Sequence, residues 1–114
     1  MECNADSEVN SGDDFRMNCA LINVQPPEET LVCIWLHGDD NQCAIGPEEN
    51  GIKCQNDERW TAFITKESCR LEVSNSQESD NGNWHLTILS LNSNGDAIEE
   101  SVKEFEINIK AKKL

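Results

Sequence analysis

Six cysteines in a chain of 114 residues constrain this protein more than any other feature of its sequence. They are Cys3, Cys19, Cys33, Cys43, Cys54 and Cys69. Cysteines that bind zinc come as close pairs two to four residues apart. Here the nearest neighbours are ten and eleven steps apart, Cys33 to Cys43 and Cys43 to Cys54, and neither histidine lies in a ligand-like pair. An even set at such spacing in a short chain reads instead as a disulfide framework, and hence as a protein of an oxidising compartment, secreted or on the outer part of a surface protein. A chain of this length makes one domain and buries only ~60–70% of the surface its unfolded form exposes, so covalent staples strengthen a modest core. Six half-cystines can pair in about 15 ways, and spacing alone does not choose among them.

Charge narrows the partners. Asp and Glu number 22 against 9 Lys and Arg, a net charge of −13. Nucleic-acid binding needs a basic surface to neutralise phosphates, and adhesion to anionic lipid needs the same. No apolar run reaches the roughly 18 residues of a spanning helix, and the polar N-terminus lacks the apolar stretch of a secretion signal. No Asn-x-Ser/Thr sequon occurs among the asparagines. The chain is expected to be a single domain over 1–114, with residues 1–9 loosely ordered apart from Cys3 and 110–114 a basic tail.

Apolar residues recur with the period of two that marks half-buried strands. Phe15, Met17, Cys19 and Leu21 form one such series. Cys69, Leu71 and Val73 form another, as do Trp84, Leu86 and Ile88, and Phe105, Ile107 and Ile109. Thr30 to Leu36 is a nearly continuous apolar run of β-formers, which suits a central strand, and Arg59 to Ile64 adds a further candidate. Gln25-Pro26-Pro27, Gly46-Pro47, Asn50-Gly51 and Asn94-Gly95-Asp96 punctuate these runs, the last as a hairpin turn. Residues 41–58 read as a long loop. Six or seven short strands with no helical period predict an all-β two-sheet antiparallel sandwich.

The order of features is more specific than their number. Gly12-x-x-Phe15-x-Met17-x-Cys19 precedes Cys33-Ile34-Trp35, then Arg59-Trp60-Thr61-Ala62-Phe63, Cys69-Arg70-Leu71-Glu72-Val73 and Asp80-Asn81-Gly82-Asn83-Trp84. Over residues 10 to 110 this resembles an immunoglobulin domain, closest to the type common in extracellular proteins of arthropods. The resemblance implies that Trp35 packs in the core and that a bridge joins Cys33 to Cys69. It also implies that Arg59 pairs with Asp80 beneath the corner leading to Trp84. One position departs from the pattern: two residues after Trp84, where the family's usual bridge has its second cysteine, this chain has Leu86. Cys19 therefore needs another partner. With Cys33–Cys69 taken from the resemblance and Cys43–Cys54 from nearness in sequence, Cys3–Cys19 remains. The chain has no tyrosine, so Trp84 can offer the corner only an indole N–H.

Catalytic chemistry is thinly supplied. The only histidines are His37, at a strand end, and His85, on the outward phase of its strand. No serine-nucleophile, zinc-protease or phosphate-loop motif is present, so no enzyme and no cofactor is expected. A calcium loop of the hand type wants a Glu six residues after its glycine, and Ile88 and Ser101 stand at that distance from Gly82 and Gly95. The acidic pairs Asp39-Asp40, Glu48-Glu49 and Asp57-Glu58 fall in expected connections, where they would attract a basic partner. The expected function is recognition of an extracellular protein, through a sheet face or the segment 41–58, with homodimerisation open. A free-standing secreted inhibitor that docks an acidic, disulfide-closed loop into a basic site is the alternative.

Overall fold

Alternation of buried and exposed side chains builds two layers, seen in a computed structural model that describes residues 2–20, 30–38, 41–46, 50–54, 57–65 and 68–111. Ten strands are described: β1 (Glu2–Ala5), β2 (Glu8–Asn10), β3 (Phe15–Ala20), β4 (Thr30–His37), β5 (Asn41–Ile45), β6 (Asn50–Lys53), β7 (Trp60–Ile64), β8 (Ser68–Val73), β9 (Gly82–Leu91) and β10 (Ala97–Lys110). One sheet has the order β1-β3-β8-β7-β6 and the other β2-β10-β9-β4-β5. The protein is thus an all-β two-sheet sandwich. All neighbours run antiparallel except β2, which lies parallel to the end of β10 through Glu8, Val9 and Asn10 against Asn108, Ile109 and Lys110. Among the described residues no helix is long and apolar enough to cross a membrane.

The inward residues of both sheets form one core. Phe15, Met17, Cys19, Ala62, Leu71 and Val73 face Cys33, Trp35, Trp84, Leu86 and Ile107, all essentially inaccessible to solvent. All three tryptophans are core residues, Trp60 and Trp84 included. Leu86 lies opposite Trp35 across the β4–β9 ladder and fills the inter-sheet space. Aromatic rings meet there in an edge-on pair, Phe15 with Trp84 at 5.6 Å, and a tilted one, Trp60 with Trp84 at 4.8 Å. The indole Nε1 atoms of Trp35 and Trp60 have no hydrogen-bond partner among the described residues, whereas Trp84 Nε1 donates to the Asp80 carbonyl at 2.9 Å.

Three disulfides staple this arrangement: Cys3–Cys19, Cys33–Cys69 and Cys43–Cys54. Cys3, Cys19 and Cys69 occupy one row across β1, β3 and β8, and Cys69 reaches over to Cys33 on the opposite sheet. Cys43 on β5 and Cys54 just after β6 join the two sheets again at their other edge.

Several segments differ from expectation. Residues 2–5 and 8–10 are strands, not a loose leader, because β1 gains a ladder with β3 and the Cys3–Cys19 bridge, while β2 gains the edge of β10. The presumed loop 41–58 holds β5 and β6, each paired with a neighbour. Lys110 ends β10 and is not part of a free tail, and residues 112–114 lie outside the described residues.

Candidate functional site: the outer face of one sheet

At one end of the sandwich the polar side chains are occupied with one another. Arg59, just before β7, holds Asp80 through a fork of two hydrogen bonds, 2.7 Å from Nη1 to Oδ2 and 2.9 Å from Nη2 to Oδ1. It also binds the Asp57 carboxylate and the Asn75 carbonyl. Hydrogen bonds donated to Asp80 raise the Arg59 pKa above its already high value, partial burial opposes them, and Asp57 adds to the rise. Asp80 further accepts from the Gln77 backbone N–H, and its carbonyl takes the Trp84 indole. His37 stacks on Trp84 with ring centroids 4.1 Å apart, and its Nε2 donates to the Asn81 carbonyl. Gly82 has φ +115°, and a side chain there would meet the His37 ring at 3.9 Å as well as a strained backbone. This corner is a structural joint. Asp57 is consumed by Arg59, while Glu58 remains exposed. Asp39, Asp40, Glu48 and Glu49 lie outside the described residues.

The two outer faces of the sandwich have opposite chemistry. Residues directly opposite in a ladder share a face, so the registers define rows across each sheet. On the sheet β1-β3-β8-β7-β6, one outward row reads Arg16, Glu72, Thr61 and Lys53, and the next reads Asn4, Asn18, Arg70 and Phe63. Its single aromatic ring is covered, since the Arg70 guanidinium sits 4.2 Å above the centroid of Phe63. That face is finished in charge and amide.

The opposite face is not. Leu31, Cys33 and Trp35 of β4 are buried, so Val32, Ile34 and Leu36 turn outward. One row reads Val102, Thr87, Ile34 and Ala44 across β10, β9, β4 and β5. Beside it run Glu104, His85, Leu36 and Gln42, and on the other side Glu100, Leu89 and Val32, with Leu91 next along β9. The apolar members cover about 230 Å², given strands ~4.8 Å apart and a rise of ~3.4 Å per residue. That approaches the largest apolar patch of an ordinary monomer, a feature that often marks a binding surface. The β10 side of the patch is edged by Glu100, Glu104 and Glu106, all exposed. His85 lies within reach of that rim, its Nδ1 3.5 Å from Glu104 Oε1.

Of these face residues the sequence pointed outward only His85, although a signal for the apolar ones existed. Thr30 to Leu36 is apolar at both phases, which reads as burial on both sides. In a sandwich with only two layers, one of those sides must be an outer face.

A scan against protein-family models finds no match, and a search of curated proteins finds no related sequence. Three disulfides in so small a domain point to an extracellular or secreted setting.

Proposed function

We propose that this chain is an immunoglobulin-like recognition domain of a secreted or cell-surface protein, and that it binds a protein partner through the outer face of β10-β9-β4-β5. The observation that carries the reading is the contrast between faces: one capped by Arg70, Glu72 and Lys53, the other left apolar along Val32, Ile34, Leu36, Leu89 and Val102. Membership of the immunoglobulin-like class is supported by the strand order, by Trp35 in the core beside the Cys33–Cys69 bridge, and by Arg59 on Asp80 below the Trp84 corner. A binding rather than catalytic role is supported by the histidines, since His37 is stacked and hydrogen-bonded within the fold and His85 lies beside an exposed glutamate.

An apolar patch of about 230 Å² is smaller than the ~800 Å² each partner gives to a stable interface, so the glutamate rim belongs to the contact as well. That rim favours a partner with basic residues. The test is a screen of the disulfide-intact chain against extracellular protein domains at low and high salt, followed by Ile34→Lys and Leu89→Lys. A true partner loses affinity by at least tenfold with either substitution, while the thermal midpoint moves little. A partner whose binding ignores both substitutions would show that the face is not the interface.

A further inference from the structure

Among the described strands, the longest also leaves the longest stretch of edge unpaired. β10 runs for 14 residues. On one side β9 pairs with it from Ala97 to Ile107. On the other, β2 pairs only with Asn108, Ile109 and Lys110. Among the described residues, nothing pairs with that second edge over residues 97–107. The open edge is ~35 Å long at ~3.4 Å per residue, and alternate N–H and C=O groups along it point away from β9. Ile98 and Val102, at 50% and 57% exposure, are the two most exposed large apolar side chains described, and both stand on this strand.

An open edge of this length is a template for another strand unless side chains guard it. The usual guards are a proline, an inward-pointing charge or a bulge near the middle. This edge has no proline and a register shift only at its tip between Ala97 and Glu99. Its inward-phase charge near the middle is a single lysine, Lys103, opposite Leu86 and in phase with Phe105 and Ile107. Beyond that one guard it has sign. Its outward phase carries Glu100, Glu104 and Glu106 around Val102.

That sign disfavours a second copy of this chain. Paired antiparallel about Val102, two copies set Glu100 against Glu104. Paired about Lys103, they set Glu100 against Glu106 and lysine against lysine. Shifted to pair about Ser101, they set each Glu100 against a Val102 and each Glu99 against a Lys103, so in that register only the net charge of the two chains opposes association. Like charges directly opposite destabilise a ladder, and each copy carries a net charge of −13. A strand with basic residues at alternate positions meets none of these penalties.

We propose that the free edge of β10 over residues 97–107 takes up an extended basic strand of the protein partner, resting on the reading of this chain as a recognition domain. Main-chain hydrogen bonds to β10 supply the docking. Lys or Arg side chains opposite Glu100, Glu104 and Glu106 supply the selectivity, and the aliphatic stem of the basic residue opposite Val102 continues the patch formed with Thr87 and Ile34. The edge thereby extends the interface beyond the apolar face.

The probe is a ten-residue peptide of alternating lysine and valine, titrated into the full disulfide-intact chain and followed by backbone amide shifts and hydrogen exchange. Binding should protect amides within 97–107 and weaken with salt. Two versions of the peptide, N-methylated at every lysine or at every valine, each lose the donors of one edge only. Strand addition requires that one version bind and the other fail. Equal affinity of the two, whether retained or lost, or shifts confined to β4 and β5, would overturn the proposal. Changing Glu100, Glu104 and Glu106 together to Gln should weaken the peptide by about tenfold without altering the thermal midpoint. Thr61→Lys, on the outer face of the other sheet, should leave it unchanged, and loss of the natural partner on Ile34→Lys but not on the triple change rejects the edge alone. Sedimentation and hydrogen exchange of the free chain supply the last arm: a dimer whose amides within 97–107 are protected means a second copy holds the edge, which also overturns the proposal.

Discussion

Arg59 ties together three stretches of chain that are distant in sequence or direction: Asp57 behind it, Asn75 after β8, and Asp80 before β9. Its weight comes from Asp80, whose side chain is only 4% exposed and whose charge is met by this fork and one backbone N–H. Removing the guanidinium leaves a nearly buried carboxylate with one donor, which costs far more than the pair itself contributes. Arg59→Met should therefore destabilise the protein by about 2–4 kcal/mol, the lower end reflecting the 20% exposure of Arg59. Asp57, equally exposed and on the far side of the fork, should matter less, with Asp57→Asn costing about 1 kcal/mol. Equilibrium unfolding in denaturant reads both, and equal losses would mean that the Asp80 contact is not the one that counts. Sequence order alone could nominate Arg59 and Asp80, through the resemblance, but not Asp57 as their companion. Asp57 looked like part of a loose acidic loop, and only the turn into β7 aims it back at Arg59.

At the scale of elements, strands that bury one phase were legible and strands held only by a neighbour were not. β3, β8 and β9 announce themselves because every second residue enters the core. β1 and β2 read Glu-Cys-Asn-Ala and Glu-Val-Asn, too short and polar to signal a strand. Their order comes from ladders with β3 and β10 and from one bridge, tertiary causes invisible to local pattern. The first half of β10, Ala-Ile-Glu-Glu-Ser-Val-Lys-Glu, was missed for the same reason, since it has left the core and is held by β9 alone. The acidic residues there belong to a strand edge, not to a connection. This dependence makes β1 a detachable element. Closing the 16-residue span of Cys3–Cys19 contributes about 3 kcal/mol, and the 36-residue span of Cys33–Cys69 about 4 kcal/mol. Cys3→Ala with Cys19→Ala should free the amides of residues 2–5 to exchange while the two sheets keep their cooperative unfolding. Cys33→Ala with Cys69→Ala should lower the stability of the whole sandwich. Hydrogen exchange separates the outcomes, and protection of β1 unchanged by the first pair would show that its ladder suffices without the bridge.

For the molecule as a whole, Leu86 joins the sheets by packing alone. It keeps the inter-sheet space packed but bonds to nothing, so the covalent links between layers are Cys33–Cys69 near the centre and Cys43–Cys54 at the β5–β6 edge. The chain-entropy argument assigns the three bridges roughly 10 kcal/mol together, as much as the total stability of a typical domain. The rest of the ledger offers little reserve. Aromatic residues make up only 5% of the chain, two buried indoles lack acceptors among the described residues, and a net charge of −13 repels itself on compaction. Burial protects the bridges kinetically, because Cys19, Cys33 and Cys69 are inaccessible in the folded state and a reductant must wait for the sandwich to open. Strong reductant should therefore act slowly on the native protein and completely on the thermally opened one. After heating and cooling in reductant, the cooperative thermal transition should be gone, and the near-ultraviolet signal of Trp35, Trp60 and Trp84 should vanish with it. A reduced chain that regains the same cooperative transition on cooling would mean that hydrophobic packing around Leu86 holds the two sheets together without covalent help.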